Sequence, residues 1–168
     1  DIDRVKNCMS DCDTIVHAAA LKRLEVCEEN PTEAIKTNIN GSENIINSSL
    51  ENPHVKKIIL VSTDKAVNPV NLYGSTKLAS DKLFIAGNNY SGYSRTKFSI
   101  VRYGNVIGSR GPIIPFFLSQ QKEKNYFSVT DVNMTRFMTT LESAVKLVWK
   151  VFDDMQGGEI YVEKNTKL

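Results

Sequence analysis

The sequence predicts an α/β protein built around a doubly wound parallel sheet, and three observations support that fold class. Short apolar runs at residues 14–20, 57–62, 98–103 and 159–162 have the composition of buried parallel strands. Helical patterns lie between these runs, so that strands and helices alternate along the chain. No internal repeat or low-complexity tract interrupts this alternation.

The intervals between the predicted strands contain apolar residues at helical spacing. We predict helices over residues 31–49, 72–86 and 139–152. The third helix is the most regular, and the glycine pair that follows it favours a helix end. Its apolar stripe consists of Leu141, Ala144, Val145, Val148 and Phe152.

Composition and charge exclude several classes of protein. The 168 residues are 41% hydrophobic and carry a net charge of +2 with the two signs interspersed, so we expect one modest core and no nucleic-acid partner. No apolar run approaches the roughly 20 residues that a membrane span needs. The three cysteines and two histidines are not spaced as zinc ligands, so we expect no metal and reduced thiols in a cytoplasmic protein.

Polar residues follow three of the predicted strands, at residues 17–22, 62–71 and 104–111. In an open α/β sheet, the loops after the strands form the ligand crevice. The longer segment 104–138 is rich in Gly, Pro, Ser and Asn and has little periodicity. The sequence therefore predicts a binding site where these three polar segments converge.

The segment Tyr73-Gly74-Ser75-Thr76-Lys77 places a phenol and an ammonium group one turn apart on the same face of the second predicted helix. A free phenol has a pKa of about 10 and is a poor base at neutral pH. A neighbouring cation stabilises the phenolate, which makes Tyr73 a candidate base for a hydroxyl group. The spacing alone is weak evidence, because it often arises by chance.

Three further motifs accompany this pair in chain order. They are His17-Ala18-Ala19-Ala20, Ser62-Thr63-Asp64-Lys65 and Arg102-Tyr103-Gly104-Asn105-Val106-Ile107-Gly108. Together with the tyrosine and lysine they resemble the extended short-chain dehydrogenase/reductase family. In more detail, the chain resembles the inverting UDP-N-acetylglucosamine 4,6-dehydratases of the polysaccharide-biosynthesis and flagellin-glycosylation type. The resemblance extends over nearly the whole chain, including Met134-Thr135-Arg136-Phe137 and Gly157-Gly158-Glu159-Ile160.

The resemblance implies a Rossmann-like fold and five catalytic residues, Thr63, Asp64, Lys65, Tyr73 and Lys77. Tyr73, assisted by Lys77, would take the proton of the C4 hydroxyl of the sugar, and Thr63 would help to hold that oxygen. Lys65 would act as the base at C5 and Asp64 as the acid for the C6 hydroxyl. The residue types alone also allow the reverse assignment of these last two roles.

The resemblance also implies NADP or NAD as cofactor and UDP-N-acetylglucosamine as substrate, with a UDP-4-keto-6-deoxy-hexosamine as product. The implied cofactor contacts are Ala18, Ala19, Ala20, Asn38, Ser62, Tyr73, Lys77 and Tyr103. The implied substrate contacts are Lys22, Thr63, Asn105 and Arg136. The arginine suits paired diphosphate oxygens, because a guanidinium group can bind two oxygens at once. Relatives of this type imply a homo-oligomer.

One motif of the family has no counterpart in this sequence. No Gly-rich turn follows a first strand, so we expect a partial sheet that lacks the first β-α-β unit. Residues 1–103 are predicted to form a partial NAD(P)-binding domain that carries the catalytic residues. Residues 104–138 are predicted to supply substrate-binding loops, and residues 139–168 a helix and a strand that return to the core.

Two other functions remain open on this sequence. A nucleotide-sugar 4-epimerase has the same fold but needs no base at C5, which leaves Asp64 and Lys65 without a role. A non-catalytic nucleotide-sugar-binding module needs neither these two residues nor Tyr73 and Lys77. The dehydratase is therefore the preferred hypothesis.

Overall fold

The structure, a computed structural model, describes residues 1–92, 95–108, 113–123, 126–129 and 131–164. Residues 109–111 of the third predicted polar segment lie outside this part of the chain. The described strands are β1 (Thr14–His17), β2 (Lys57–Thr63), β3 (Lys97–Tyr103), β4 (Asn105–Val106), β5 (Met138–Thr139) and β6 (Ile160–Val162).

The main sheet has four parallel strands in the order β1-β2-β3-β6. β4 and β5 form a separate two-stranded parallel sheet. Parallel neighbours need long crossover connections, and helices provide them on both faces of the main sheet. The predicted fold class is confirmed.

Seven α-helices are described, and four of them are accounted for by the predicted helical intervals. They are α1 (Ile2–Met9), α2 (Leu24–Glu29), α3 (Pro31–Ile35), α4 (Gly41–Leu50), α5 (Leu72–Tyr90), α6 (Ile113–Glu123) and α7 (Leu141–Asp154). The predicted helix 31–49 is in fact α3 and α4, joined by a π-helical turn over Lys36–Asn40. The helices predicted at 72–86 and 139–152 correspond to α5 and α7, whereas α1, α2 and α6 were not predicted.

One predicted strand is too long. The run at residues 14–20 was expected to be a strand throughout, but the ladder with β2 ends at the pair His17 and Leu60. Ala18, Ala19 and Ala20 continue beyond the sheet edge without a strand partner among the described residues. Their apolar character therefore does not serve strand pairing.

The two faces of the main sheet are covered by different helices, because successive strand residues point to opposite faces. On one face, α4 and α5 pack against β2 and β3 through Ile46, Ile58, Leu60, Phe84, Phe98 and Ile100. On the other face, α7 covers the sheet through Ile59, Val101, Val151 and the adjoining Met155. Even-numbered residues of β2 and β3 thus face α5, and odd-numbered ones face α7.

The α7 face is only partly covered. An apolar groove of 710 Å³ lies beside α7, and its lining includes Val16 of β1, Val61 of β2, and Val148 and Trp149 of α7. Trp149 is 66% exposed. Parallel sheets usually have both faces covered, so the groove agrees with the partial sheet expected from the sequence. None of the described helices is long and apolar enough to cross a membrane.

Candidate active site

The carboxyl ends of the parallel strands meet at one edge of the main sheet and bring the predicted catalytic residues together. Thr63 and Tyr103 are register partners at the ends of β2 and β3. A single 3₁₀ turn, Asp64–Ala66, follows β2, and α5 begins six residues later with Asn71 as its N-cap. This short connection places Tyr73 in the first turn of α5, close to the end of β2.

A polar cluster occupies this edge. The Thr63 hydroxyl donates a hydrogen bond to Asp64 Oδ1 at 3.0 Å. Lys65 Nζ donates to the same carboxylate oxygen at 3.1 Å and to Asn105 Oδ1 at 2.9 Å. The side chains of Lys65 and Asp64 are 30% and 27% exposed, so the pair is open to a ligand. The structure therefore joins three predicted catalytic residues, Thr63, Asp64 and Lys65, to the predicted substrate contact Asn105.

Tyr73 lies beside this cluster and is held as a neutral phenol. The pKa of Tyr73 is raised to about 12, mainly by burial and to a smaller extent by the nearby Tyr103 and Asp64, against the lowering effect of a hydrogen bond with Thr63. The hydrogen bond connects Tyr73 through Thr63 to the carboxylate of Asp64. In this state Tyr73 is poised to donate a proton, and it needs an added positive charge to act as a base.

Lys77 lies one turn after Tyr73 on α5 and is only 2% exposed. Its Nζ donates a hydrogen bond to the main-chain carbonyl of Val61 at 2.8 Å. Burial lowers the pKa of Lys77 to about 8, and Asp81 partly offsets this effect. The predicted stabilisation of the Tyr73 phenolate by the charge of Lys77 stays a prediction, and the described hydrogen bond of Lys77 goes to β2.

Gly74 permits the close packing of α5 on the turn that follows β2. A Cβ atom at this position would lie 2.3 Å from the main-chain oxygen of Lys65 and 3.0 Å from Pro69 Cβ. Any larger residue would therefore push the Asp64–Ala66 turn away from α5. The glycine keeps Lys65 within the same cluster as Tyr73.

Asn38 connects three segments around the site. Its Nδ2 donates hydrogen bonds to the Leu21 carbonyl and to Thr76 Oγ1, both at 2.9 Å, and its Oδ1 accepts one from Leu21 N at 2.8 Å. Asn38 sits in the π-helical turn and is 1% exposed. It holds the segment after β1 against α5, so its predicted contribution to cofactor binding is expected to act through positioning.

The remaining predicted cofactor contacts line the same edge. Ala18 and Ala19 are exposed and Ala20 is half-buried. Ser62 is buried, and its Oγ has no hydrogen-bond partner in the described part of the chain. Tyr103 is half-buried, and burial raises its pKa. Small side chains at an open strand end allow a flat ligand to approach the backbone closely, which fits a dinucleotide.

Two predicted substrate contacts are not part of this cluster. Lys22 is exposed just beyond the end of β1. Arg136 is also exposed, and its guanidinium group donates hydrogen bonds to the Thr135 carbonyl and to Met134 Sδ. These local contacts do not connect Arg136 to Asp64 or Lys65, and both substrate contacts stay predictions.

Residues that the sequence did not single out also support the site. The Glu28 side chain accepts a hydrogen bond from Leu72 N at 2.7 Å and so helps to cap α5. Asp81 forms a buried ion pair with Arg102. The spacing of four residues between Lys77 and Asp81 on a helix was a signal available in the sequence.

Comparisons with known proteins identify relatives of this chain. A UDP-N-acetylglucosamine 4,6-dehydratase (inverting) from Campylobacter jejuni is 54% identical over 98% of this chain. A UDP-glucose 4-epimerase from Rickettsia bellii is 42% identical over 96% of the chain. These alignments cover 49% and 47% of the two relatives, so the chain spans about half their length.

The crystal structure of Pen from Bacillus thuringiensis matches the whole chain with a TM-score of 0.94 and 40% identity, over 53% of its own length. The predicted resemblance to inverting UDP-N-acetylglucosamine 4,6-dehydratases is confirmed by the relatives. The model of the polysaccharide biosynthesis protein family matches residues 1–167. The chain therefore belongs to the polysaccharide biosynthesis protein family.

Proposed function

We propose that this chain carries the catalytic residues of a nicotinamide-dependent 4,6-dehydratase that acts on UDP-N-acetylglucosamine and inverts C5. The observation that carries the proposal is the Asp64–Lys65 ion pair, which is linked through Thr63 to Tyr73. Oxidation at C4 and elimination across C5 and C6 need separate acid–base groups within reach of one sugar. The cluster supplies both sets of groups.

The first step removes hydrogen from C4. Tyr73 takes the proton of the C4 hydroxyl, and Thr63 holds the same oxygen. A nicotinamide dinucleotide, when bound, would supply reversible hydride transfer between C4 and C6, and its positive ring would favour the phenolate of Tyr73. Burial disfavours that phenolate without a ligand, so the tyrosine becomes a base only in the loaded site.

The second step eliminates water. The C4 ketone acidifies the C5 proton, which Lys65 removes in its neutral form, while Asp64 in its acid form gives a proton to the departing C6 hydroxyl. Addition of a solvent proton to C5 from the face opposite Lys65, together with return of the hydride to C6, would give the inverted product. Before substrate enters, the two side chains form an ion pair, so transfer of one proton from Lys65 to Asp64 prepares both groups. Asn105 orients the Lys65 amine through its 2.9 Å contact.

The described residues fit a dinucleotide at the open strand edge. Ala18, Ala19 and Ala20 leave the backbone accessible, and the unpartnered hydroxyl of buried Ser62 lies at the end of β2. NADP or NAD would lie along this edge, with Tyr103 also contributing. Lys22 and Arg136 would contact the nucleotide sugar, and the complete protein would be a homo-oligomer.

In this proposal the three parts of the chain have separate tasks. Residues 1–103 provide the cofactor edge and the catalytic cluster. Residues 104–138 supply the substrate loops, of which Asn105 already contacts Lys65. Residues 139–168 return to the core through α7 and β6, which pack on β3.

A nucleotide-sugar 4-epimerase is the second candidate, because a relative with that name is 42% identical to this chain. An epimerase uses the tyrosine and the cofactor but leaves the C5 hydrogen in place. It therefore gives no reason for an ion pair beside the tyrosine with contacts to Thr63 and Asn105. The dehydratase explains these contacts, and the epimerase does not.

The nature of the product distinguishes the candidates. The full-length gene product is incubated with UDP-N-acetylglucosamine and the sugar nucleotides are analysed by mass spectrometry. A product lighter by one water molecule supports the dehydratase, whereas an isomer of unchanged mass supports the epimerase. Lys65→Met is expected to abolish water loss. Lys82→Met removes an exposed lysine of α5 and is expected to retain it. Binding without turnover would support the non-catalytic module.

A further inference from the structure

A buried ion pair lies on the face of α5 that packs against the main sheet. Arg102 Nη2 and Nε lie 2.7 Å and 2.9 Å from Asp81 Oδ2. The carboxylate of Asp81 is fully buried, and the Arg102 side chain is 16% exposed. Arg102 reaches α5 because it is an even-numbered residue of β3, like Phe98 and Ile100.

This pair has an unusual neighbour. Lys77 lies four residues before Asp81, so the two side chains leave the same face of α5. Of the described residues, Lys77 is the only lysine and Asp81 the only carboxylate residue that the fold buries. Arg102 occupies Oδ2 alone, and Asp81 Oδ1 is buried without a hydrogen-bond partner in the described part of the chain.

Burial of a charge is costly unless an opposite charge lies near it. Arg102 pairs with Asp81, and the charge of Asp81 also acts on Lys77, one turn earlier on α5. If Asp81 served Arg102 alone, the buried ammonium group of Lys77 would have no buried carboxylate to compensate its charge. The free Oδ1 leaves half of the carboxylate available to Lys77.

We propose that Asp81 is a positioning residue for Lys77: Arg102 fixes the carboxylate of Asp81, which supplies the negative charge that stabilises the buried ammonium group of Lys77, one helical turn after Tyr73. The inference rests on the proposed function, in which Lys77 assists Tyr73. Asp81 touches no reacting atom and acts only through Lys77.

Other charged or titratable groups near Lys77 do not offer a substitute for Asp81. His17 lies at the end of β1, and its pKa is lowered to about 4 by burial and by the charge of Lys77. It is therefore neutral near pH 7 and carries no charge that could stabilise Lys77. Tyr73 on the same helix is a neutral phenol, Arg102 on β3 is a cation, and β2 contributes only the Val61 carbonyl. The electrostatic effect of Asp81 on Lys77 raises the pKa of the lysine, which agrees with this assignment.

The test is a titration of Lys77 in the ligand-free full-length gene product. Lysine is labelled with carbon-13 at Cε, the Lys77 signal is identified as the one missing in Lys77→Arg, and its pKa is read by NMR. We expect the pKa of about 8 to fall to about 7 or below in Asp81→Asn. Asp81→Glu restores the charge and is expected to recover most of the wild-type value.

Two further variants keep the test decisive. Glu142→Gln removes an exposed carboxylate that pairs with Lys146 four residues later on α7. This variant is expected to leave the pKa of Lys77 unchanged. If Asp81→Asn does not fold, the double variant Asp81→Asn with Arg102→Met is compared with Arg102→Met alone, so that Asp81 is the only difference, and the double variant is expected to have the lower pKa for Lys77. A wild-type pKa for Lys77 in folded Asp81→Asn, or an equal pKa in the double variant and in Arg102→Met, would overturn the proposal. The titration needs no turnover, so its result is separate from the product assay that tests the function.

Discussion

Replacement of Lys77 by methionine is expected to stabilise the fold although it removes a catalytic residue. Methionine fills a similar volume without a charge. The pKa of about 8 lies below the ordinary lysine value of 10.5 because of burial. That difference corresponds to about 3 kcal/mol of free energy at pH 7. Loss of the hydrogen bond to the Val61 carbonyl offsets about 1 kcal/mol, so Lys77→Met is expected to gain about 2 kcal/mol.

The stability difference between Lys77→Met and the wild type is expected to depend on pH. Between about pH 8 and pH 10.5 the unfolded chain keeps the Lys77 proton that the folded chain has released, so the wild-type free energy of unfolding rises with pH. The advantage of Lys77→Met is therefore full below pH 8 and is lost by about pH 10.5.

Urea denaturation followed by circular dichroism at several pH values measures this difference. Lys146→Met replaces a lysine whose side chain is 72% exposed and serves as the matched control, with no comparable pH dependence expected. A Lys77→Met protein that is less stable than wild type at pH 7, with a difference that does not change with pH, would refute the reasoning.

Three further variants test other parts of the site. Tyr73→Phe is expected to fold normally and to lose turnover about 10²- to 10⁴-fold in kinetic assays, because it removes the proton acceptor. Gly74→Ala brings a Cβ to 2.3 Å from the Lys65 carbonyl; it is expected to cost about 1–3 kcal/mol in urea denaturation and to abolish water loss, whereas exposed Ser75→Ala does neither. Asn38→Ala removes three hydrogen bonds of a buried side chain and is expected to cost about 1–3 kcal/mol; a wild-type urea midpoint would contradict this.

The main strands were predictable because their residue composition favours a buried strand over the other secondary structures. β2 and β3 are mostly apolar and rich in β-branched residues, which favour buried parallel strands. The helices α1 and α2 are short and lack a long apolar stripe, so they depend on contacts made by the folded chain. The C-terminal turn of α1, for example, is held by Asn52, which donates a hydrogen bond to the Met9 carbonyl.

The catalytic cluster was predictable as a set of residue types but not as a network. Parallel strand ends meet at one edge, so the sequence indicated that the polar segments 17–22, 62–71 and 104–111 converge. It did not indicate that Lys65 contacts Asn105, because that contact depends on where the chain turns after β3. Prediction of the Asp81–Arg102 pair would have required two signals together. One is the four-residue helical spacing between Lys77 and Asp81, and the other is the even position of Arg102 on β3.

Proton NMR of UDP-N-acetylglucosamine incubated in deuterated water with the full-length gene product tests the central claim most directly. If Asp64 and Lys65 catalyse elimination beside Tyr73, the product loses its C6 hydroxyl, gains a methyl signal and carries deuterium at C5. Coupling to the C5 position then reports inversion. Lys65→Met is expected to show no loss of the C6 hydroxyl, no methyl signal and no deuterium at C5. An epimerised sugar with its original hydrogen at C5 would contradict the account and would leave Asp64 and Lys65 with a structural role only.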